Sequence, residues 1–149
     1  MPANSERPRV RRWPWVLFRI MVTCEAALAL GQAVLAGSFL SGHYKALSLH
    51  ELNAGFTGGI VLLQVVAAVL LWRPGRGPGW PALVSTALLI VEGVQMEFGY
   101  SRTLAVHVPL GVLIVAATLL MLVWAWRPIP GAAHASRTEG TEGAAKESA

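Results

Sequence analysis

The apolar residues of the chain are clustered into four long runs separated by short polar stretches. The runs cover residues 16–37, 50–72, 80–98 and 104–126. Each run has about the 20 residues that a helix needs to cross a hydrocarbon core of roughly 30 Å. The pattern predicts transmembrane helices over about 15–37, 49–72, 80–98 and 104–126. A cleaved signal peptide is a less favoured interpretation of the first run, because that run is longer than a signal-peptide core and carries Glu25 at its middle.

The aromatic and basic residues indicate how these helices are oriented. All six tryptophans fall at one set of predicted helix ends, and both tyrosines fall in the two connections at the other set. Tryptophan and tyrosine favour the membrane–water interface, so this partition requires an even number of crossings. The tryptophan side also carries most of the basic residues near the helix ends, namely Arg7, Arg9, Arg11, Arg12, Arg73, Arg76 and Arg127. The positive-inside rule therefore predicts a multi-pass protein of the cell membrane with both termini in the cytoplasm.

These patterns together predict an all-α fold, an integral membrane up-and-down four-helix bundle over residues 13–127. Residues 1–12 form a basic cytoplasmic arm, and residues 128–149, which have few large apolar side chains, form a disordered cytoplasmic tail. The composition agrees, with 54% hydrophobic and only 13% charged residues. The topology accounts for the net charge of +4, so membrane lipid, and no nucleic acid, is the expected partner. Cys24 is the only cysteine, which excludes an intramolecular disulfide.

Two histidines are predicted to lie near the outer ends of their helices. The stretch from Ser48 to Glu51 fits a capping box, which would place His50 in the first turn of the second helix. Thr103 can cap the fourth helix, leaving His107 in or near its first turn. In an up-down bundle the second and fourth helices are diagonal, and their inner faces look at each other across the core. This arrangement can supply two axial ligands to one haem iron near the outer leaflet.

Other residues of the two hairpins fit the same hypothesis. A ligating imidazole needs a partner for its second ring nitrogen, and Glu51, Glu97 and Gln95 are candidates. Three small residues below the histidines would leave room for the macrocycle: Ala54, Gly58 and Gly111. We therefore predict that His50 and His107 bind the iron of one b-type haem, with Gln95 and these small residues around it.

Several alternatives remain open at the level of sequence. Each histidine can instead be a simple interface anchor, and His43 can join the pair in a copper or zinc site. Glu25, Glu92 and Glu97 can carry protons in an oligomeric transporter, or Glu92 can hydrogen-bond to a neighbouring helix through Gln32 or Asn53. A cofactor-free protein that packs against a partner is also possible.

Soluble enzyme motifs are absent: the chain has no aspartate, no phosphate-binding glycine loop and no plausible catalytic triad. Whether the protein is an enzyme stays open.

The third and fourth runs also carry a short family-like pattern. Gln95-x3-Gly99, a short turn and His107-x2-Leu110-Gly111 resemble the corresponding hairpin of haem A synthase family proteins. Those proteins contain two four-helix bundles, each with a histidine on its second and fourth helices, and this chain looks like one such bundle. The resemblance implies axial haem ligation by His50 and His107. Glu51 follows the first histidine where that family tends to have arginine, which favours haem binding over haem modification. The expected role is electron transfer or haem handling, with a membrane redox partner or as a homo-oligomer.

Overall fold

The computed structural model describes residues 11–128 of the chain. It contains four helices, which are α1 (Arg12–Leu40), α2 (Lys45–Trp72), α3 (Trp80–Tyr100) and α4 (Leu104–Ala125). All four are long and apolar enough to cross a membrane, and the described range contains no strand. The all-α class and the four predicted helices are therefore confirmed. The arm and the tail predicted to be disordered lie, apart from their residues next to the bundle, outside the described residues.

Four helix boundaries differ from the predicted ones by more than a residue. Arg12 is already the first residue of α1, which continues to Leu40, and α3 continues to Tyr100. The largest difference is at α2, which begins at Lys45. There Ser48 Oγ donates to the Lys45 carbonyl oxygen (2.9 Å), so Ser48 lies inside the first turn. The predicted capping box is therefore wrong, and His50 lies in the second turn of α2.

The helices are arranged as a square. Each helix packs against its neighbours in sequence and α1 also packs against α4, whereas the backbones of α1 and α3, and those of α2 and α4, are not in contact. The connections at 41–44, 73–79 and 101–103 are too short for any arrangement other than antiparallel neighbours. The predicted diagonal relation of α2 and α4 is confirmed.

One end of the bundle, which we call the tryptophan end, is closed by aromatic packing. The ring of Trp124 lies 5.7 Å from that of Trp15 and 4.4 Å from that of Trp80, measured between centroids. Phe18 packs edge-on against the same Trp124 ring. Leu71 fills the space among the helices and is fully buried. The opposite end, with the connections at 41–44 and 101–103, is called the histidine end.

Arg19 joins the first helix to the last at the tryptophan end. Its Nε donates to the carbonyl oxygen of Ala125 (2.8 Å) and its Nη2 to that of Arg127 (2.9 Å). The guanidinium also stacks on the Trp126 ring at 5.3 Å. The last carbonyls of a helix have no intrahelical donor and carry partial negative charge. Arg19 therefore caps α4 from a neighbouring helix.

The outer faces of all four helices are apolar. Large hydrophobic side chains are exposed along each helix, for example Ile20, Leu62, Ile90 and Leu113. No other part of the described chain covers them, and each helix has the length of a membrane span. These faces are therefore lipid-facing, and the core holds the polar groups.

Candidate functional site

His50 and His107 meet at the histidine end of the bundle. They belong to the diagonal helices α2 and α4, yet their ring centroids are only 6.3 Å apart, with the ring planes inclined at 63°. Both side chains are half-buried. The helix arrangement therefore brings these two residues together across the core, as their positions in the sequence predicted.

His107 is held by a reciprocal contact with Gln95. Its Nδ1 lies 2.9 Å from the backbone oxygen of Gln95, and the Gln95 side-chain Nε2 donates to the backbone oxygen of His107 (2.7 Å). A carbonyl oxygen only accepts, so His107 Nδ1 must carry the proton. The tautomer is thereby fixed, and Nε2 of the ring keeps its lone pair. Gln95 was predicted at this site, and it acts through both its backbone and its side chain.

His50 is oriented in the same way by α1. Its Nδ1 lies 3.2 Å from the backbone oxygen of Gln32, so it too donates to a carbonyl and keeps a lone pair on Nε2. A backbone carbonyl is one of the groups that commonly orient a metal-binding histidine. Glu51 and Glu97, the carboxylates expected to bond to a ring nitrogen of these histidines, are exposed. Carbonyl oxygens of α1 and α3 orient the two rings instead.

The spacing of the rings suits two ligands of one metal ion. Imidazole nitrogens bind a transition metal at about 2.0–2.1 Å, so two that share one ion on opposite sides lie about 4 Å apart. Each ring centroid lies about 1 Å behind its nitrogen, which puts the centroids of such a pair about 6 Å apart. The observed 6.3 Å agrees with that separation. Planes that share one axis can make any angle with each other, so the inclination is compatible with it.

Two glycines of the hairpin lie against these contacts. A Cβ at position 99 would lie 3.0 Å from Cε1 of His107, and a Cβ at position 111 would lie 2.8 Å from Nε2 of Gln95. Gly111 was expected to leave room for a macrocycle, but the side-chain amide of Gln95 occupies the space beside it. Gly99 was not among the predicted site residues, although it belongs to the Gln95-x3-Gly99 pattern that could have identified it.

The small residues of α2 face less crowded surroundings. A Cβ at Gly58 would meet no atom within 4 Å, and both Ala54 and Gly58 are half-buried. Asn53, one residue earlier, donates to the backbone oxygen of Leu28 (2.9 Å) and so ties α2 to α1.

No third metal ligand joins the histidine pair within residues 11–128. His43 lies exposed in the turn between α1 and α2, and no group of three or more histidine, cysteine or acidic residues in this range is placed to hold a metal ion. A copper or zinc site built with His43 has no support in this arrangement. Any metal bound here must bring its remaining ligands with it.

A second polar group lies deeper in the core, where each helix contributes one fully buried polar residue. We call this group the polar layer; it consists of Glu25, Gln64, Ser85 and Thr118. Thr118 Oγ1 donates to Glu25 Oε1 (3.0 Å), and Gln64 Nε2 donates to Ser85 Oγ (3.2 Å). Glu25 therefore points into the core of the bundle. Sequence reasoning considered these residues separately and did not predict that they meet.

Glu92 is buried in the core on α3, the helix diagonally opposite that of Glu25. Only 7% of its surface is exposed. Neither of its oxygens has a hydrogen-bond partner among the described residues, so the suggested bond to Gln32 or Asn53 is not formed. Glu97, the third residue of the suggested proton path, is exposed at the end of α3 and does not join the pair.

The fold and the site define a class, a four-helix membrane protein in which a histidine pair and a carboxylate pair occupy opposite diagonals. Comparison with known proteins adds no relative, since no family model, characterised protein or solved structure matches the chain. The functional interpretation therefore depends on the geometry of the two polar groups.

Proposed function

We propose that the protein binds one b-type haem through His50 and His107 and serves electron transfer or haem handling in the membrane. The observation that carries the proposal is the pairing of the two imidazoles at 6.3 Å, each with Nδ1 against a backbone carbonyl. Two oriented imidazoles on diagonal helices are what a protein supplies to a six-coordinate haem.

A haem fits this site better than a bare metal ion. Zinc is almost always held by four ligands in structural sites and by three protein ligands in catalytic sites. The described residues supply two. A haem brings four nitrogen ligands of its own and needs only the two axial ones. Gly58 lies about two turns along α2 from His50, and a position without a side chain would not obstruct a flat ring held by the histidines.

The proposed coordination favours electron transfer over catalysis. Haem iron supplies one-electron chemistry when it is bound, and it binds a substrate only where an axial position is open. If both axial positions are taken by protein nitrogens, the role of the chain is to hold the ring and tune its potential. Electrons would then be exchanged with a membrane redox partner, or between copies in a homo-oligomer. The same two ligands would equally serve a protein that holds haem and passes it on.

The test of this proposal is the absorbance spectrum of the full-length protein, purified in detergent from haem-replete cells. We expect a low-spin spectrum in both oxidation states, and one haem per chain by pyridine haemochrome assay. A colourless protein that is monodisperse and thermally stable would overturn the proposal. It would favour the alternative, a cofactor-free membrane protein in which the histidines only join helices.

The orientation belongs to the same proposal, because it decides on which side the haem would lie. The arginine excess at the tryptophan end indicates that this end is cytoplasmic. In a Cys24→Ala background, we expect a cysteine at exposed Ser41 to react with an impermeant maleimide in intact cells. A cysteine at exposed Pro128 is expected to react only after lysis. Labelling of position 128 in intact cells would invert the topology and move the histidines to the cytoplasmic side.

A further inference from the structure

The carboxylates in the core have no compensating charge. Glu25 and Glu92 come from the diagonal helices α1 and α3, and both are at least nine-tenths buried. No lysine or arginine in residues 11–128 bonds to either of them, and Arg19, the nearest basic residue along α1, is used by the end of α4. Two buried anions that repel each other in an apolar core are strongly unfavourable unless something positive lies between them.

Gln64 adds to the imbalance. Its side chain lies beside the Glu25 carboxylate, but its Nε2 donates to Ser85 and its Oε1 has no donor. Four buried oxygens at this level thus accept no hydrogen bond from any described residue; they are Glu25 Oε2, Gln64 Oε1 and both carboxylate oxygens of Glu92. Native proteins seldom leave such atoms unpaired, and the usual partners are a proton, a water molecule or an ion.

The four oxygens are of the kind that a hard cation binds. Two protons, one on each carboxyl, would also neutralise the pair, so protonation is the alternative that an experiment must separate from an ion. A hard divalent cation takes six or more oxygen ligands, from carboxylates, amide carbonyls and hydroxyls alike. Its two positive charges would neutralise both carboxylates, so no net charge would remain in the membrane core. The hydroxyl oxygens of Ser85 and Thr118 complete an oxygen-only set to which all four helices contribute.

We propose that Glu25, Glu92 and Gln64 bind one hard divalent cation in the core of the bundle. The site is separate from the histidine pair, and its evidence does not depend on haem. The ion would link the α1–α3 diagonal as the histidine site would link α2 and α4. Its binding would therefore stabilise the whole bundle.

The experiment uses full-length protein that has been stripped with chelator and purified in detergent. Mn²⁺ serves as the probe, followed by its EPR signal, and Ca²⁺ and Mg²⁺ serve as competitors. We expect one Mn²⁺ per chain and a rise in the thermal unfolding temperature with Mn²⁺ or Ca²⁺ concentration.

Glu25→Gln and Glu92→Gln keep the side-chain size and remove one charge each. Each should weaken Mn²⁺ binding by more than about tenfold, because loss of an ion ligand should cost at least as much as loss of an outer-shell partner. Glu97→Gln, at an exposed glutamate of α3, is the matched control and should bind normally.

Two results would overturn the proposal. In the first, the wild type binds no Mn²⁺ and its unfolding temperature does not respond to any divalent ion, while Glu25→Gln and Glu92→Gln are at least as stable as wild type. The two carboxylates would then be neutralised by protons. In the second, only sodium shifts the unfolding temperature, which would assign the site to a monovalent ion. Repeating the titration with His50→Ala separates this site from the haem site, because the cation response should persist in that variant.

Discussion

If the protein binds haem as proposed, alanine at either His50 or His107 is expected to abolish its low-spin spectrum. Each variant removes one of two axial nitrogens, and the described residues offer no third group to replace it. The remaining histidine would still be oriented by its carbonyl, so residual haem would be five-coordinate and high-spin. The measurement is the absorbance spectrum of the purified variants, with haem content per chain determined in parallel.

His43→Ala is the matched control for these variants. This histidine is exposed in the turn between α1 and α2, and the spectrum should not change when it is replaced. If His50→Ala and His107→Ala both retain the wild-type spectrum, the iron is not held by this pair. The close approach of the two rings would then have only a structural role.

Leucine at position 99 is expected to remove most of the haem while leaving both ligands in the chain. A Cβ there would already lie 3.0 Å from Cε1 of His107, and the remaining side-chain atoms would displace the ring. Overpacking of this kind costs about 1–3 kcal/mol, which corresponds to a roughly 5- to 150-fold loss of affinity. The measurement is haem content per chain at fixed haem supply, together with the thermal unfolding temperature of the apoprotein.

Gly93→Leu controls for the general effect of adding a leucine to α3. A Cβ at Gly93 would meet no atom within 4 Å, and the residue faces outward, so haem content should stay at the wild-type level. Equal loss of haem in the two leucine variants would mean that α3 as a whole, and not the wall behind His107, determines binding.

The architecture could be predicted because the membrane imposes it. Four apolar runs of membrane length with short connections leave few arrangements other than an antiparallel bundle, and His50 and His107 follow onto one diagonal. The start of α2 could not be predicted in the same way. The residues before Ser48 are polar enough for a loop, but Lys45 and Ala46 are also good helix formers, and near the interface the helix continues through them.

The surroundings of the histidines were harder to predict than the histidines themselves. A sequence displays carboxylates and amides, but the groups that orient the rings are the backbone carbonyls of Gln32 and Gln95, which every residue has. Only three-dimensional placement selects which carbonyl faces the ring. The polar layer was missed for a related reason. Thr118 bonds to Glu25 across 93 positions of sequence. Sequence alone does not give the offset between helices that places the two residues at the same depth.

The contact between Arg19 and the end of α4 has a consequence for the order of assembly during synthesis. Arg19 leaves the ribosome more than a hundred residues before the carbonyl oxygens of Ala125 and Arg127 that it will bind. Until the last helix is inserted, the guanidinium must keep its hydrogen bonds with water and lipid headgroups at the bilayer surface. Helix α1 therefore lacks these two hydrogen bonds while α2 and α3 enter. Only the arrival of α4 gives the guanidinium its final partners, so closure of the square is the last step of biogenesis.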